Sequence, residues 1–134
     1  MSAAYVDASA VAKLVLAEPE SSALRSWLRG RAVASSSLVR VEVMRAARSH
    51  GSGPVALAQR ILRRVELFGV SKLVLDRASS IAPLQLRTLD ALHLATAQLA
   101  SNDVGVLVTY DRRLSGAATA LGIRTVSPGA ATPA

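Results

Sequence analysis

Four acidic residues are spaced so that an open α/β sheet would bring them together: Asp7, Glu42, Asp90 and Asp111. Asp7 directly follows the apolar run Ala3–Val6, and Asp111 follows the run 106–110. The other two acids lie on segments with helical spacing. Parallel strands end along one edge of a sheet, where ligands bind. Acids that meet there repel each other unless a cation lies among them, so the spacing predicts a metal-dependent site.

The donor types indicate which metal and which chemistry such a site would support. Carboxylate oxygens suit hard cations such as Mg²⁺ or Mn²⁺, whereas zinc prefers nitrogen and sulfur ligands. The chain contains no cysteine and only two histidines. Divalent ions of this kind activate water and stabilise the charge on a phosphodiester during in-line attack. The predicted chemistry is therefore metal-dependent phosphodiester hydrolysis.

Each of the four acids also has a purely structural explanation. Asp7 and Asp111 precede predicted helices, where aspartate is a favoured N-cap. Asp90 lies in the first turn of its helix, where the helix dipole favours a negative charge. Glu42 could pair with arginines of its own helix. Caps alone do not require all four acids to meet, so the joint pattern favours a site.

Polar residues close to these acids are candidate supporting groups. Ser9 and Thr109 each lie within two residues of a strand-end aspartate. We expect their hydroxyls to bond the carboxylates or metal-bound waters, with capping and strand-end hydrogen bonding as alternatives. His93 follows Asp90 by about one helical turn and is predicted to be packed and hydrogen-bonded, although it could orient a carboxylate or contact substrate. His50 lies in a glycine-rich loop and is predicted to be solvated.

Short apolar strands alternate with helices along the chain. The predicted strands cover residues 3–6, 32–35, 73–75, 105–109 and 123–126. The predicted helices cover residues 8–17, 21–29, 39–49, 55–67, 76–86, 88–100 and 112–121. This alternation predicts right-handed crossovers and a parallel sheet covered on both faces. We therefore predict an α/β fold, with one domain over 1–126 built on a central parallel sheet of four to five strands flanked by helices, and a short flexible tail over 127–134.

Composition narrows the functional classes. The formal net charge is +7, and the basic residues are 14 arginines and 2 lysines. This balance predicts an acidic partner such as nucleic acid or an acidic protein, unless the charges only solvate the surface. The absence of cysteine excludes disulfides, thiolate metal sites and a cysteine nucleophile. Without a targeting pattern or an apolar run of bilayer length, we expect a cytoplasmic protein with no membrane partner.

Three motifs carry a resemblance to a known family. They are YVDASA at residues 5–10, RTLDALHLATA at 87–97 and VTYDRRL at 108–114. In this order and spacing they resemble a PIN-domain ribonuclease, specifically a VapC-type toxin of a bacterial toxin–antitoxin pair, over nearly the whole chain. The resemblance implies a PIN-like, Rossmann-like sheet, an acidic pocket that uses Mg²⁺ or Mn²⁺, and endoribonuclease activity.

The resemblance also assigns residues and partners. The family's catalytic and metal-binding acids fall, by motif, on Asp7, Glu42, Asp90 and Asp111. Many members carry a further acid shortly afterwards, but Arg112 and Arg113 follow here, so no fifth ligand is assigned. The implied partners are an RNA substrate, a cognate VapB-type antitoxin that blocks the site, and a second copy of the chain in a homodimer. DNA would be contacted only through the antitoxin.

Arginines close to the proposed site are candidates for RNA contact, and they are Arg40, Arg45, Arg48, Arg87, Arg112 and Arg113. Phosphate is repelled by an acidic pocket, so such arginines would reverse the local potential and give binding a steep salt dependence. With only four aromatic residues, a stacking platform for bases is not expected. The face around Leu24, Trp27 and Leu28 could receive an antitoxin segment or pack on the chain's own core.

Two other functions stay open from the sequence. One is a non-catalytic PIN-fold module that binds protein. The other is a phospho-accepting signalling domain, because Asp76 follows the predicted strand 73–75. That fold expects adjacent acids after its first strand and a late lysine, whereas Ala8 follows Asp7 and no lysine follows Lys72.

Overall fold

The computed structural model describes residues 2–131, so Met1 and residues 132–134 of the predicted tail lie outside it. Its strands are β1 (Ala3–Val6), β2 (Val33–Ser36), β3 (Glu66–Phe68), β4 (Val104–Val108) and β5 (Thr125–Val126). Its helices are α1 (Ala8–Val15), α2 (Ser21–Leu28), α3 (Val39–Arg48), α4 (Ser52–Leu62), α5 (Lys72–Ser80), α6 (Thr88–Leu99) and α7 (Arg112–Ala120). None of these helices has the length and apolar character needed to cross a bilayer.

The strands form one parallel sheet in the order β3-β2-β1-β4-β5. From β1 the chain winds outward through β2 and β3, and it later returns to β4 on the other side. This reversal of winding direction opens a crevice at the carboxyl edge between β1 and β4. Val6 pairs with Val108, so the turns that follow these two strands leave the sheet at the same level. The predicted α/β fold is confirmed.

Alternation along β1 and β4 divides the core between the two faces of the sheet. Ala4 and Val6 pack on one face with residues of α1 to α4. Tyr5 and Leu107 pack on the other face with residues of α5 to α7. Both faces are therefore covered by helices, as is usual for a parallel sheet.

The segment 73–75 was wrongly predicted to be a strand. It belongs to α5, because the Ser71 hydroxyl accepts from the backbone N of Val74 and caps a helix there. Of the three apolar residues only Val74 is buried, while Leu73 and Leu75 are 63% and 49% exposed. The predicted helix over 76–86 is correspondingly wrong beyond Ser80, where α5 ends.

The predicted helix over 55–67 is also wrong at both ends. Helix α4 begins at Ser52 and ends at Leu62. The residues Glu66–Phe68 instead form β3, which pairs with β2 at the edge of the sheet. An edge strand this short, beginning with an exposed glutamate, lacks the apolar alternation that identifies inner strands.

The face around Leu24, Trp27 and Leu28 packs inward. Leu24 and Leu28 are buried, and Trp27 packs against the same core cluster. The Arg31 guanidinium lies 4.0 Å from the centroid of the Trp27 ring. The two leucines are therefore unavailable to an antitoxin, and the alternative, packing on the chain's own core, is observed.

The start of the predicted tail contacts the loop that follows β4. The Tyr110 hydroxyl donates to the backbone oxygen of Pro128 at 2.7 Å. The Ser127 hydroxyl donates to the backbone oxygen of Thr109 at 2.7 Å. Gly129 has a φ of +83°, and a Cβ there would lie 2.8 Å from the Ala23 side chain. The flexibility expected of the rest of the tail stays a prediction.

Candidate active site

The two strand-end aspartates lie at the crevice between β1 and β4. Asp7 follows β1, and β4 leads through Thr109 and Tyr110 to Asp111. The two turns are joined, since the backbone N of Tyr110 donates to Ser9 Oγ at 3.0 Å and Thr109 Oγ1 donates to Asp7 Oδ2 at 2.6 Å. The sheet topology thus brings the ends of the first and last sequence motifs into contact.

Asp7 is a buried carboxylate with three hydrogen-bond donors. Its Oδ1 accepts from Ser9 Oγ at 2.7 Å and from the backbone N of Ala10 at 3.0 Å, and its Oδ2 accepts from Thr109. Only 3% of the residue is exposed. Burial raises the pKa of Asp7, and the donors oppose this shift only in part. The carboxylate caps α1, and the Ser9 and Thr109 hydroxyls hold it as expected.

Asp111 caps α7 in the same way. Its Oδ1 accepts from the backbone N of Arg113 at 2.8 Å and of Leu114 at 3.1 Å. Its own backbone N donates to Thr109 Oγ1 at 3.1 Å. The Thr109 hydroxyl therefore donates to Asp7 and accepts from Asp111, which fixes the spacing of the two aspartates.

Asp90 brings a third carboxylate to this edge from the first turn of α6. Burial raises the pKa of Asp90, and the negative charges of Asp111 and Asp7 raise it further. His93 and Arg87 act in the opposite direction. Negative charges disfavour the ionisation of a carboxylate only when they lie close to it. Asp7, Asp90 and Asp111 therefore lie close enough at this edge to interact electrostatically.

Glu42 reaches α6 through His93. Its Oε1 lies 2.6 Å from His93 Nε2, and its side chain keeps 18% exposure. Within residues 2–131 no ion pair joins Glu42 to Arg45 or Arg48, so pairing within the helix is not observed. Since His93 lies on the same helix as Asp90, Glu42 approaches the helix that carries Asp90.

The donor chemistry fits a hard divalent cation held partly through water. Among the described residues, no three His, Cys, Asp or Glu side chains meet closely enough to form a ready-made metal site. Asp7 and Asp111 each keep one oxygen on a helix N-terminus. Mg²⁺ commonly keeps several water ligands and binds proteins through one or two carboxylates. The oxygen donors at this edge match that requirement.

Comparison with known proteins identifies the family. The PIN domain model matches residues 4–119. This chain belongs to the PIN-domain family. It is 48% identical over 129 residues to Ribonuclease VapC46 of Mycobacterium tuberculosis (strain ATCC 25618 / H37Rv), a match that covers 96% of this chain and 99% of that protein. The VapC-type resemblance predicted from the three motifs is confirmed.

Solved structures share the PIN fold. The M. tuberculosis toxin VapC20, described as cleaving the Sarcin-Ricin loop, matches with a TM-score of 0.72 at 19% identity, covering 94% of this chain and 100% of that chain. A toxin–antitoxin complex from Klebsiella pneumoniae matches with a TM-score of 0.66 at 23% identity, covering 84% and 90%. At these identities the matches support the fold alone.

The arginines predicted near the RNA path of this PIN domain are all exposed, and they are Arg40, Arg45, Arg48, Arg87, Arg112 and Arg113. Arg87 precedes α6 and lowers the pKa of Asp90. Arg112 and Arg113 line a groove of about 590 Å³, together with Leu86, beside the last aspartate. Arg40 and Arg45 line a separate shallow groove on α3. Arg87 therefore acts electrostatically on Asp90, and Arg112 and Arg113 directly follow Asp111 in the chain.

His93 makes contacts that no local pattern could have identified. Its prediction as a packed, hydrogen-bonded residue is confirmed, since it is 1% exposed. Its Nδ1 lies 2.7 Å from the hydroxyl of Tyr5, which is 88 positions away, and Glu42 is 51 positions away. The predicted exposure of His50 is also confirmed.

Asp76 does not follow a strand in this PIN domain. It lies within α5, where its carboxylate pairs with Lys72 at 2.6 Å and is 61% exposed. The feature that favoured a phospho-accepting signalling domain is therefore absent.

Proposed function

We propose that this protein is the toxin of a toxin–antitoxin pair, a metal-dependent endoribonuclease that hydrolyses RNA phosphodiester bonds at Asp7, Glu42, Asp90 and Asp111. The observation that carries the proposal is the contact between the turns after β1 and β4, which brings Asp7 and Asp111 to one edge of the sheet. Their negative charges also act on Asp90 there. Family membership supports it, because a relative 48% identical to this chain is named a ribonuclease.

Each acid has a role in this proposal. Asp7, Asp90 and Asp111 hold Mg²⁺ or Mn²⁺ directly or through water, and Glu42 completes the shell or orients the attacking water. The bound ion supplies an activated water and stabilises the charge on the phosphate. The Ser9 and Thr109 hydroxyls each donate to one oxygen of Asp7, so its carboxylate is held in one orientation. A fixed orientation keeps the reacting groups in place before RNA binds.

Comparison of wild type with Asp90→Asn tests the function. Both proteins, purified in parallel, are incubated with total cellular RNA in EDTA, Mg²⁺ or Mn²⁺, and their thermal midpoints are compared to verify folding. We expect discrete fragments from wild type only, and only with metal. Equal cleavage by both proteins would mean a contaminant or a wrong site. If neither cleaves RNA, the non-catalytic binding module becomes the better explanation.

The arginines beside the aspartates are proposed to bind RNA phosphates. Arg87, Arg112 and Arg113 would offset the repulsion between the acidic cluster and the RNA backbone. Leu86 contributes apolar surface to the groove that the last two line, so a nucleotide next to the scissile phosphate could rest there.

Arg113→Ala is expected to weaken RNA binding and to reduce the slope of log K against log salt by about 1, because one phosphate contact is lost. Fluorescence anisotropy with labelled RNA, in an Asp90→Asn background that prevents cleavage, measures this slope. Arg77→Ala is the matched control, since Arg77 is exposed on α5 and bonds Gln98 at 2.8 Å. A slope unchanged by Arg113→Ala would remove Arg113 from the RNA path.

The proposed protein partners are a VapB-type antitoxin that blocks the site and a second copy of the chain, with DNA bound only by the antitoxin. One exposed apolar surface supports the homodimer. Leu75 and Leu84 are 49% and 84% exposed. Leu75 and Leu84 line one groove of about 380 Å³ with Leu92.

Leu84→Lys is expected to shift the protein from dimer to monomer, because it places a charge in the apolar surface that the second copy would cover. Light scattering coupled to size-exclusion chromatography measures the mass. Leu121→Lys is the control, since Leu121 is an exposed leucine, 40% accessible, just beyond α7. A monomeric wild type would refute the homodimer, and a dimeric Leu84→Lys would move its interface elsewhere.

A further inference from the structure

One buried imidazole joins three of the elements that carry the proposed site. His93 lies on α6 with Asp90, Tyr5 lies on β1 two residues before Asp7, and Glu42 lies on α3. Tyr5 and His93 are 0% and 1% exposed. The His93 ring stands 2.7 Å from the Tyr5 hydroxyl through Nδ1 and 2.6 Å from Glu42 Oε1 through Nε2.

The available donors determine the direction of both hydrogen bonds. An ionised carboxylate can only accept, so His93 Nε2 carries the proton and donates to Glu42. When the ring is neutral, its Nδ1 accepts from the hydroxyl of Tyr5. A tyrosine phenol ordinarily ionises only at about pH 10, so it keeps this proton at neutral pH. The network specifies the Nε2–H tautomer of the ring.

Packing fixes the plane of the same ring. The Tyr5 and His93 rings meet edge to face, with centroids 5.8 Å apart and planes at 79°. Neither ring can turn without losing a hydrogen bond in a buried environment, where an unmade bond is costly. The Nε2–H direction is therefore rigid, and the carboxylate that it holds is fixed relative to α6.

We infer that His93 is a positioning residue, which holds the Glu42 carboxylate at the edge of the site while Tyr5 anchors the imidazole. This inference rests on the proposed role of Glu42. Without that bond, a glutamate side chain on α3 would sample several rotamers, and ordering it would cost free energy at each turnover. Glu42 keeps 18% exposure while it is held, so its carboxylate remains accessible to an ion or a water molecule.

Substitutions of His93 separate positioning from packing. His93→Leu keeps a buried side chain but removes both hydrogen bonds. His93→Gln can return an N–H near the position of Nε2. Leu94→Val is the matched control, because Leu94 is buried on the same helix and belongs to the apolar core. Tyr5→Phe, which removes a single hydroxyl, keeps the inference testable if His93→Leu does not fold.

Two readouts are measured on these variants: Mn²⁺ affinity of the RNA-free protein by calorimetry, and kcat for RNA cleavage. We expect His93→Leu to lower Mn²⁺ affinity or kcat by about 10- to 100-fold, the range typical of groups that orient metal ligands. His93→Gln should recover part of this loss, and Leu94→Val should change neither quantity. Unchanged affinity and kcat in His93→Leu would overturn the inference while the proposed function stands.

A double-mutant cycle tests whether His93 acts through Glu42. If it does, adding His93→Leu to Glu42→Gln causes little further loss in affinity or kcat. Fully additive losses would overturn the inference. If wild type neither binds Mn²⁺ nor cleaves RNA, the proposed function fails and the positioning role fails with it.

The ring tautomer gives a readout that needs neither metal nor RNA. Nitrogen-15 NMR of the His93 ring in the metal-free protein should show a proton on Nε2. An Nε2 without a proton would overturn the inference, because Glu42 would then have no donor.

Discussion

Asp7→Asn is expected to abolish RNA cleavage while it raises the thermal midpoint of the metal-free protein. Cleavage should fall by about 10³-fold or more, since a metal site contributes several kcal/mol of charge stabilisation and each 1.4 kcal/mol is about tenfold in rate. Stability should rise because burial raises the pKa of Asp7. Each unit of such a shift costs about 1.4 kcal/mol at neutral pH, and asparagine caps a helix about as well as aspartate.

The stability gain should depend on pH. An aspartate in an unfolded chain has a pKa of about 3.9, and Asp7 in the native protein has a higher one. Between these two values the native state binds more protons, so the free energy of unfolding falls as pH rises. Asp7→Asn should lack this part of the slope. Its stability should therefore be close to that of wild type near pH 4 and exceed it increasingly toward pH 7.

Thermal unfolding in EDTA between pH 4 and 8 measures this difference. Asp103→Asn is the control, since Asp103 is exposed and should alter neither cleavage nor the pH curve. Asp7→Ala should show a smaller gain, because loss of the cap costs about 1 kcal/mol. A midpoint for Asp7→Asn below that of wild type at pH 7 would mean that the charged cap outweighs the cost of burial.

Thr109→Val is expected to reduce the free energy of unfolding by about 2–4 kcal/mol. Thr109 is fully buried. Its hydroxyl donates to Asp7 Oδ2 and accepts from the backbone N of Asp111. Valine keeps the shape and removes both bonds, so a buried charge loses one of its donors. Urea unfolding of the metal-free protein measures the change.

Measuring Thr109→Val in an Asp7→Asn background identifies the cause of its effect on stability. In Asp7→Asn the buried group is neutral, so the loss caused by Thr109→Val should shrink by about 1 kcal/mol or more. Thr96→Val is the control, because the Thr96 hydroxyl donates to the neutral carbonyl oxygen of Leu92 and also bonds the phenol of Tyr5. Its loss should cost about 1 kcal/mol. Equal losses for the two threonines, unaffected by the charge of Asp7, would contradict the proposed support of that carboxylate.

Local signals in the sequence were sufficient for the elements that carry the strand-end acids. The runs before Asp7 and Asp111 are apolar and short, and buried inner strands are expected to have this pattern. The segment 73–75 was misassigned because three apolar residues fit a strand or one turn of helix equally well. The Ser71 cap decides in favour of the helix, and a cap of this kind depends on a single residue.

The contacts within the site were also only partly predictable from the sequence. The hydrogen bonds that Ser9 and Thr109 make to Asp7 were expected. Asp7 and Thr109 follow strands that a parallel sheet aligns, and Ser9 lies two residues after Asp7. The bond between His93 and Glu42 depends on how α3 and α6 meet at the same edge of the sheet. No periodicity within either helix encodes that packing, so the sequence predicted a buried histidine but not its partners.

The pairing of β1 with β4 has a consequence for how this protein becomes active during its synthesis. Asp7 and the Thr109 hydroxyl that holds it are 102 positions apart. Most of the chain must therefore be synthesised before the Asp7 carboxylate can acquire this partner. Non-local parallel pairing of this kind also folds slowly. A frameshift or stop codon anywhere before position 111 would therefore produce an inert fragment rather than a weakened nuclease. Loss of a toxic activity by truncation would be complete in a single step.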